Sequence, residues 1–216
     1  MSSINAHYTF QYSQPEEYRF SHDSVFLARR VFELLKPEAI QNFRGLDLCS
    51  GCGIIGLDFL FHCQKEWKLA PKQFDFLEIQ NVYEEHFKKN LMYLSQISTE
   101  IQFVNRSYDI LLEPKNSGIY DLILCNPPYF LPHQGTLSPS EFKNRCRFFI
   151  DSDFSNLLLG IVNSLKLNGA AYVLLRDLSD QGWNSMAEAV GVLEGRGTIT
   201  QLGDIRGTSL VRIQKI

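Results

Sequence analysis

The sequence predicts a doubly wound α/β fold, a mostly parallel Rossmann-like sheet with an antiparallel strand at its C-terminal end. Three observations carry this expectation. Short apolar strands alternate with helical stretches along the chain, the pattern of parallel strands joined by crossover helices. The first strand runs straight into a glycine-rich turn and then a helix. Two β-like segments joined by glycine-containing turns close the chain and read as a hairpin.

Each element has its own signal. Val25, Phe26, Leu27, Val31, Phe32, Leu34 and Leu35 recur at helical spacing after Ser21-His22-Asp23, where Ser or Asp can cap, and Pro37 ends the run. Residues 45–48 form a short apolar strand, and residues 54–63 the helix that follows its glycine turn. Residues 74–77 give a second strand ending at Glu78, followed by an amphipathic helix over 81–94. The third strand is 101–104. The fourth, 120–125, is apolar enough to be central in the sheet. A helix over 154–165 is closed by Asn168-Gly169, and 171–175 is the fifth strand. A last helix over 181–190 leads into strands at 198–202 and 209–213, joined through Gly203-Asp204 and Arg206-Gly207.

Of the 216 residues, 44% are hydrophobic and 21% charged, a mixture that excludes disordered and fibrous chains. No apolar run approaches the roughly 20 residues needed to span a bilayer. Residues 1–14 lack the basic-then-apolar order of a signal peptide. The expectation is one cytoplasmic domain over residues 1–216. A net charge of −3 leaves any nucleic-acid contact to a local basic patch. Five cysteines without a secretion signal read as reduced thiols. Cys49 and Cys52 have C-x-x-C spacing, with His62 and Cys63 beyond. Cys52 sits between two glycines, however, and no second C-x-x-C follows, so no metal is expected.

The chemistry concentrates in two places. Leu46-Asp47-Leu48-Cys49-Ser50-Gly51-Cys52-Gly53-Ile54-Ile55-Gly56 runs strand, turn, helix. Small residues let the backbone approach a ligand, and free N–H groups at a helix start favour negative groups. Glu78, 22 residues past Gly56 at the end of the next strand, can accept both ribose hydroxyls of an adenosine. This much fits a nicotinamide cofactor or S-adenosylmethionine, and a plain glycine turn also accounts for the loop alone. The second place follows the fourth strand, where Cys125 gives way to Asn126-Pro127-Pro128-Tyr129-Phe130. Two prolines stiffen the backbone and remove its N–H donors while leaving carbonyl acceptors. With the Asn126 carbonyl and the Tyr129 ring, the set suits a planar group bearing an NH2. A rigid turn that simply ends the strand is the structural alternative.

The glycine loop, Glu78 and Asn126-Pro127-Pro128-Tyr129 together resemble the class I S-adenosylmethionine-dependent methyltransferases of the amino-methylating branch. That branch covers adenine-N6, cytosine-N4 and protein glutamine-N5 enzymes. The segment Gln14-Pro15-Glu16-Glu17-Tyr18-Arg19-Phe20-Ser21-His22-Asp23-Ser24-Val25-Phe26-Leu27-Ala28, and Phe130 after the tetrapeptide, resemble the bacterial tRNA(Val) adenine-N6 methyltransferases. The resemblance runs from about Tyr12 to the C-terminal hairpin. It implies an S-adenosyl-L-methionine site made by Asp23, Asp47, Cys49, Gly51, Gly53, Glu78, Ser107 and Asn126, with residues 1–40 packed on it. Asn126, Pro127, Pro128 and Tyr129 would be catalytic, Asn126 and the Pro127 carbonyl aiming the amine at the methyl and Tyr129 stacking on the base. In the family's D-x-G-x-G-x-G loop, Cys49 stands at the first glycine. Either Ser107 or Asp109 replaces the Asp that commonly reads the cofactor's adenine.

The implied substrate is adenine N6 in structured RNA, tRNA above all. Phe130 beside the tetrapeptide and Lys143, Arg145 and Arg147 just after it would hold the RNA, and Arg196, Arg206, Arg212 and Lys215 in the tail face Asp204 alone. Solvated surface is the alternative for both basic groups. Three other functions fit part of the pattern. A glutamine-N5 methyltransferase presents the same NH2, but such enzymes carry an N-terminal helical domain, and about 40 residues precede the first strand here. A nicotinamide oxidoreductase leaves Asn126–Tyr129 unexplained. A non-catalytic RNA-binding relative is suggested by Cys49 and the missing acidic residue after strand three.

Overall fold

The fourth strand, β4 (Tyr120–Cys125), shows how the sequence divides the core. Ile123 and Cys125 point into one apolar cluster and Leu122 and Leu124 into another on the opposite face, all 1% exposed or less. A strand buried on both faces reads as an unbroken apolar run because side chains alternate with period two. The computed structural model describes residues 9–19, 22–40, 42–94 and 96–216. Ser21, one of the two cap candidates for the first helix, lies outside them.

Among the described residues seven strands form one sheet. Beside β4 these are β1 (Arg44–Leu48), β2 (Gln73–Glu78), β3 (Glu100–Asn105), β5 (Leu165–Leu175), β6 (Gly197–Ile205) and β7 (Thr208–Lys215). Their order is β3-β2-β1-β4-β5-β7-β6. The first five run parallel, and β7 pairs antiparallel with β5 and with the edge strand β6. The doubly wound sheet with an antiparallel C-terminal strand is therefore as the sequence reads. Helices α1 (His22–Leu34), α3 (Ile54–His62) and α4 (Tyr83–Leu91) cover one face, following the short α2 (Pro37–Ile40) in the case of α3. Helices α6 (Phe154–Ser164) and α7 (Ser185–Leu193) cover the other, and α5 (Glu141–Arg147) lies between β4 and α6 in sequence. No described helix is long and apolar enough to cross a membrane.

Three elements differ from the sequence reading. Asn168-Gly169 does not close a helix: α6 ends at Ser164 and β5 begins at once, with residues 166–169 absorbing a register shift against β4. Gly169 is there because a Cβ would lie 2.8 Å from the Tyr120 carbonyl oxygen. Gly203-Asp204 likewise belongs to β6, at a bulge, and the hairpin turn is Arg206-Gly207 alone. Both turn residues have positive φ, 53° and 82°, as a two-residue turn between twisted strands requires. Helix α7 starts later than expected, at Ser185, because Asn184 caps it by accepting the Ala187 N–H at 2.8 Å.

Candidate active site

The carboxyl ends of β1, β2, β3 and β4 converge where the strand order reverses, between β1 and β4, the position at which open α/β sheets bind ligands. A cavity of about 520 Å³ opens there, within the roughly 300–1,000 Å³ of small-molecule sites. Its walls include Cys49, Ser50 and Gly51 after β1, Glu78 at the end of β2, Ser107 after β3 and Asn126–Phe130 after β4. Gln14, Tyr18, Asp23 and Ser24 close it from the N-terminal side.

The loop after β1 is held by carboxylates. Asp47, fully buried, accepts the Gly56 N–H at 2.8 Å and so ties the strand to the first turn of α3. Burial pushes the Asp47 carboxyl well above its ordinary range. Glu78 receives the Gly51 N–H at 2.9 Å on one oxygen and the Gln80 N–H at 2.8 Å on the other. Burial pushes its carboxyl up to about 7 against the pull of those two donors. Gly53 takes φ 82°, and a Cβ there would lie 2.6 Å from the Phe87 ring. Asp47 and Gly53 shape the loop from behind and are not on the cavity wall. Cys49 is on it, in the left-handed region at φ 57°, so the turn made by a glycine in the resembled family is made here by a non-glycine residue.

Two residues left open by the sequence separate cleanly. Ser107 is on the wall and Asp109 is not. The Ser107 hydroxyl donates to Asp109 at 3.1 Å, while Ser152 and Asn156 donate to the other Asp109 oxygen. The Ser107 oxygen also accepts the Asp109 N–H at 3.2 Å, so with its proton committed to Asp109 it keeps one lone pair with which to act as an acceptor on the cavity wall.

From Pro127 to Phe130 the backbone after β4 offers carbonyl acceptors and no free N–H. Pro127 and Pro128 carry no N–H, and the N–H groups of Tyr129 and Phe130 both donate to the Arg147 carbonyl, each at 3.0 Å. The Asn126 side-chain nitrogen donates to Ser24 Oγ at 3.1 Å, and the Tyr129 hydroxyl donates to the Asn126 side-chain oxygen. The amide is thus fixed with its carbonyl towards Tyr129. Burial pushes the Tyr129 phenol up, keeping it a donor.

The basic group after the tetrapeptide is less free than its composition implies. Arg145 pairs with Glu141 at 3.0 Å and Asp151 at 3.4 Å. The Arg147 guanidinium lies over the rings of Phe130 and Phe148, 5.3 and 5.5 Å from their centres. Lys143 is off the cavity wall altogether. Three of the wall residues that sequence reasoning missed carry chemistry of their own. Cys146 takes a hydrogen bond from Gln80 (3.3 Å) and meets the Tyr83 hydroxyl (3.2 Å) on the cavity wall; nothing local signals this. Ser50 was read only as a small loop residue, but its Oγ is buried without a hydrogen-bond partner. Arg176 follows β5 at the same sheet edge as Glu78 and Asn126, and that placement was legible.

The fold and the position of the site decide the comparison. Over 93% of this chain, the structure superposes on a 16S rRNA N2 G1207 methyltransferase of T. thermophilus, in complex with AdoMet and guanosine, with TM-score 0.63, 15% identity and 45% of that chain covered. The fold is that of the class I methyltransferases. TrmN from Thermus thermophilus matches with TM-score 0.56 and 18% identity, over 89% of this chain and 49% of that one. In sequence, the chain resembles a tRNA1(Val) (adenine(37)-N6)-methyltransferase of Bacteroides fragilis, 26% identical over 153 residues, 71% of this chain and 60% of the relative's length. No family model matches the chain.

The residues present suit S-adenosylmethionine. The cavity has the size for it, the buried Ser50 Oγ lacks a partner, and the Glu78 oxygens keep lone pairs beyond the two N–H groups they accept. Among the described residues no group of three or more His, Cys, Asp or Glu is arranged to hold a metal ion.

Proposed function

We propose that this chain is an S-adenosylmethionine-dependent N-methyltransferase acting on the N6 amine of adenine in structured RNA, with tRNA as the substrate class. The observation that carries the reading is the backbone from Pro127 to Phe130, which offers carbonyl acceptors and no free N–H, with the Asn126 amide fixed by Ser24 at the cavity. The tRNA1(Val) methyltransferase that the sequence resembles and the 16S rRNA methyltransferase that the fold resembles support RNA as the acceptor.

In this reading Glu78 accepts the ribose hydroxyls, Ser107 accepts from the adenine amino group of the cofactor, and Asp47, Cys49, Gly51 and Gly53 shape the loop around it. Asp23, on the wall beside Ser24, faces the methionine end. Bound there, the cofactor supplies a methyl group that is already activated. The chain's own work is placement. The Asn126 side-chain oxygen exchanges the Tyr129 hydroxyl for one hydrogen of the incoming NH2, and the Pro127 carbonyl takes the other. Both pull the nitrogen lone pair out of conjugation with the ring and point it into the cavity. Tyr129 stacks on the base, which leaves its own stack to enter. With the cofactor bound, the positioned nitrogen would take that methyl group and give up one proton to water. Phe130 and Arg147, packed on each other, frame the entrance.

Isothermal calorimetry with S-adenosylmethionine on the wild type and Glu78→Ala is the first test, followed by tritiated methyl transfer to bulk tRNA with Asn126→Ala as control. Micromolar binding lost in Glu78→Ala, and transfer lost in Asn126→Ala, are the expected results. A folded protein that binds no S-adenosylmethionine overturns the reading. Transfer to protein glutamine instead of RNA overturns its substrate half.

A further inference from the structure

We propose that a second cleft, lined by His22, Asp23, Arg176, Arg206 and Thr208, holds a backbone phosphate of the nucleic acid whose base lies against Tyr129. The proposal rests on the reading above for what occupies the first cavity. The cleft measures about 310 Å³ and lies where the start of α1, the end of β5 and the β6–β7 turn meet. Asp23 and Arg176 belong to the walls of both cavities, so the two spaces adjoin. The Arg176 guanidinium lies over the Tyr129 ring, 5.7 Å from its centre, and lines the cleft as well, which places a cation beside both the base platform and the cleft. Arg176 is exposed and has no carboxylate partner among the described residues, and the single carboxylate of the cleft, Asp23, already faces Arg206 at 3.6 Å. Two guanidinium groups against one carboxylate leave the cleft with an unmatched positive charge, shaped for the forked recognition of phosphate.

Arg206 adds an independent observation. It occupies the left-handed region at φ 53° in a turn where Gly or Asn would be relaxed. The arginines after the tetrapeptide do not compete for this role, since Arg145 is paired with two carboxylates and Arg147 is packed on two rings.

Arg206→Gln and Arg206→Lys test the cleft, because the turn is exposed and neither change alters a packed residue. Binding to bulk tRNA is read by fluorescence anisotropy over a salt series without cofactor. S-adenosylmethionine binding is read by calorimetry. Arg206→Gln is expected to weaken RNA binding about tenfold and to flatten the slope of log affinity against log salt by about one, the signature of one lost phosphate contact. Arg206→Lys, which keeps the charge but not the fork, retains the salt slope and only part of the affinity, cofactor affinity stays unchanged, and in turnover the change enters KM for RNA rather than kcat. RNA affinity and salt slope unaltered in Arg206→Gln overturn the proposal, as does a wild type that binds no RNA. Lost cofactor affinity with intact RNA binding also overturns it, since the cleft would then hold the cofactor's carboxylate. A wild type whose RNA binding depends on Arg206 but which transfers no methyl sinks the function proposed above and leaves the cleft standing.

Discussion

Asn126 and Ser24 lie 102 positions apart in the chain, yet the Asn126 side-chain nitrogen donates to the Ser24 hydroxyl across 3.1 Å. Helix α1 thereby decides which way the amide faces. In Ser24→Ala the amide can turn and offer a donor where the mechanism needs an acceptor. Loss of one such bond is worth about 1 kcal/mol. The expected outcome is a five- to tenfold fall in kcat for methyl transfer, roughly what that energy gives, with S-adenosylmethionine affinity unchanged. Tritium incorporation under saturating cofactor reads the first quantity and calorimetry the second.

Glu78 gives a pH dependence of defined sign. Its carboxyl in the folded chain titrates near 7, pushed up by burial, above the ordinary value of 4.5. The folded state therefore holds a proton that the unfolded state has released between those two values. Its contribution to stability is largest below 4.5 and is lost as pH rises to about 7. Cofactor affinity runs the opposite way, because only the carboxylate accepts ribose hydroxyls at both oxygens. Affinity should rise with pH, at most tenfold per unit, and level off above about 7. A calorimetric series from pH 5.5 to 8.5 checks it, and Glu78→Gln should flatten the curve.

Gly53 carries two constraints at once, a left-handed backbone and a Cβ position 2.6 Å from Phe87. Gly182 has nearly the same φ, 81°, with nothing within 4 Å of its Cβ position. Gly182→Ala should cost about 1 kcal/mol, the backbone term alone, and Gly53→Ala about 2–4 kcal/mol through added overpacking. At roughly 2–4 °C per kcal/mol for a chain of this size, differential scanning calorimetry separates the two.

Ser107 and Asp109 should weaken cofactor binding by different routes. Ser107→Ala removes the acceptor itself and leaves the fold intact. Asp109→Ala strips partners from Ser107, Ser152 and Asn156 together, so it should lower both thermal stability and affinity. Equal stability loss in the two variants would contradict the assignment of Asp109 to a supporting position.

Thiol labelling maps the cavity directly. Cys49 and Cys146 are part-exposed on its wall, whereas Cys52, Cys63 and Cys125 are buried. N-ethylmaleimide on the folded protein should label only the first pair, with Cys146 slow because burial pushes its thiol up. S-adenosylmethionine should protect both, and peptide mass spectrometry distinguishes them.

The sheet, its order of elements and the centre of the site were legible because their signals are local. Apolar runs such as 120–125 mark strands, the glycines at 51 and 53 mark a turn that no larger residue takes easily, and Glu78 and Asn126 sit at strand ends by counting alone. What failed was long-range. Gly169 looked like a helix stop because Asn-Gly usually is one, while its reason is a carbonyl on a neighbouring strand. The arginines after the tetrapeptide looked free because sequence does not show Asp151 or the paired rings of Phe130 and Phe148. Glu141, four residues before Arg145, was a readable warning. Arg176 was overlooked although it ends a strand at the same edge as the residues that were found.

The fold of the loop from Tyr129 to Phe130 is recorded in a carbonyl, that of Arg147, and not in any side chain. A main-chain acceptor is supplied by whatever amino acid occupies the position. Residue 147 can therefore be exchanged in descendants of this sequence, from cationic to aromatic to aliphatic, and the entrance to the site retuned for a different acceptor while the geometry of the transfer is inherited unchanged.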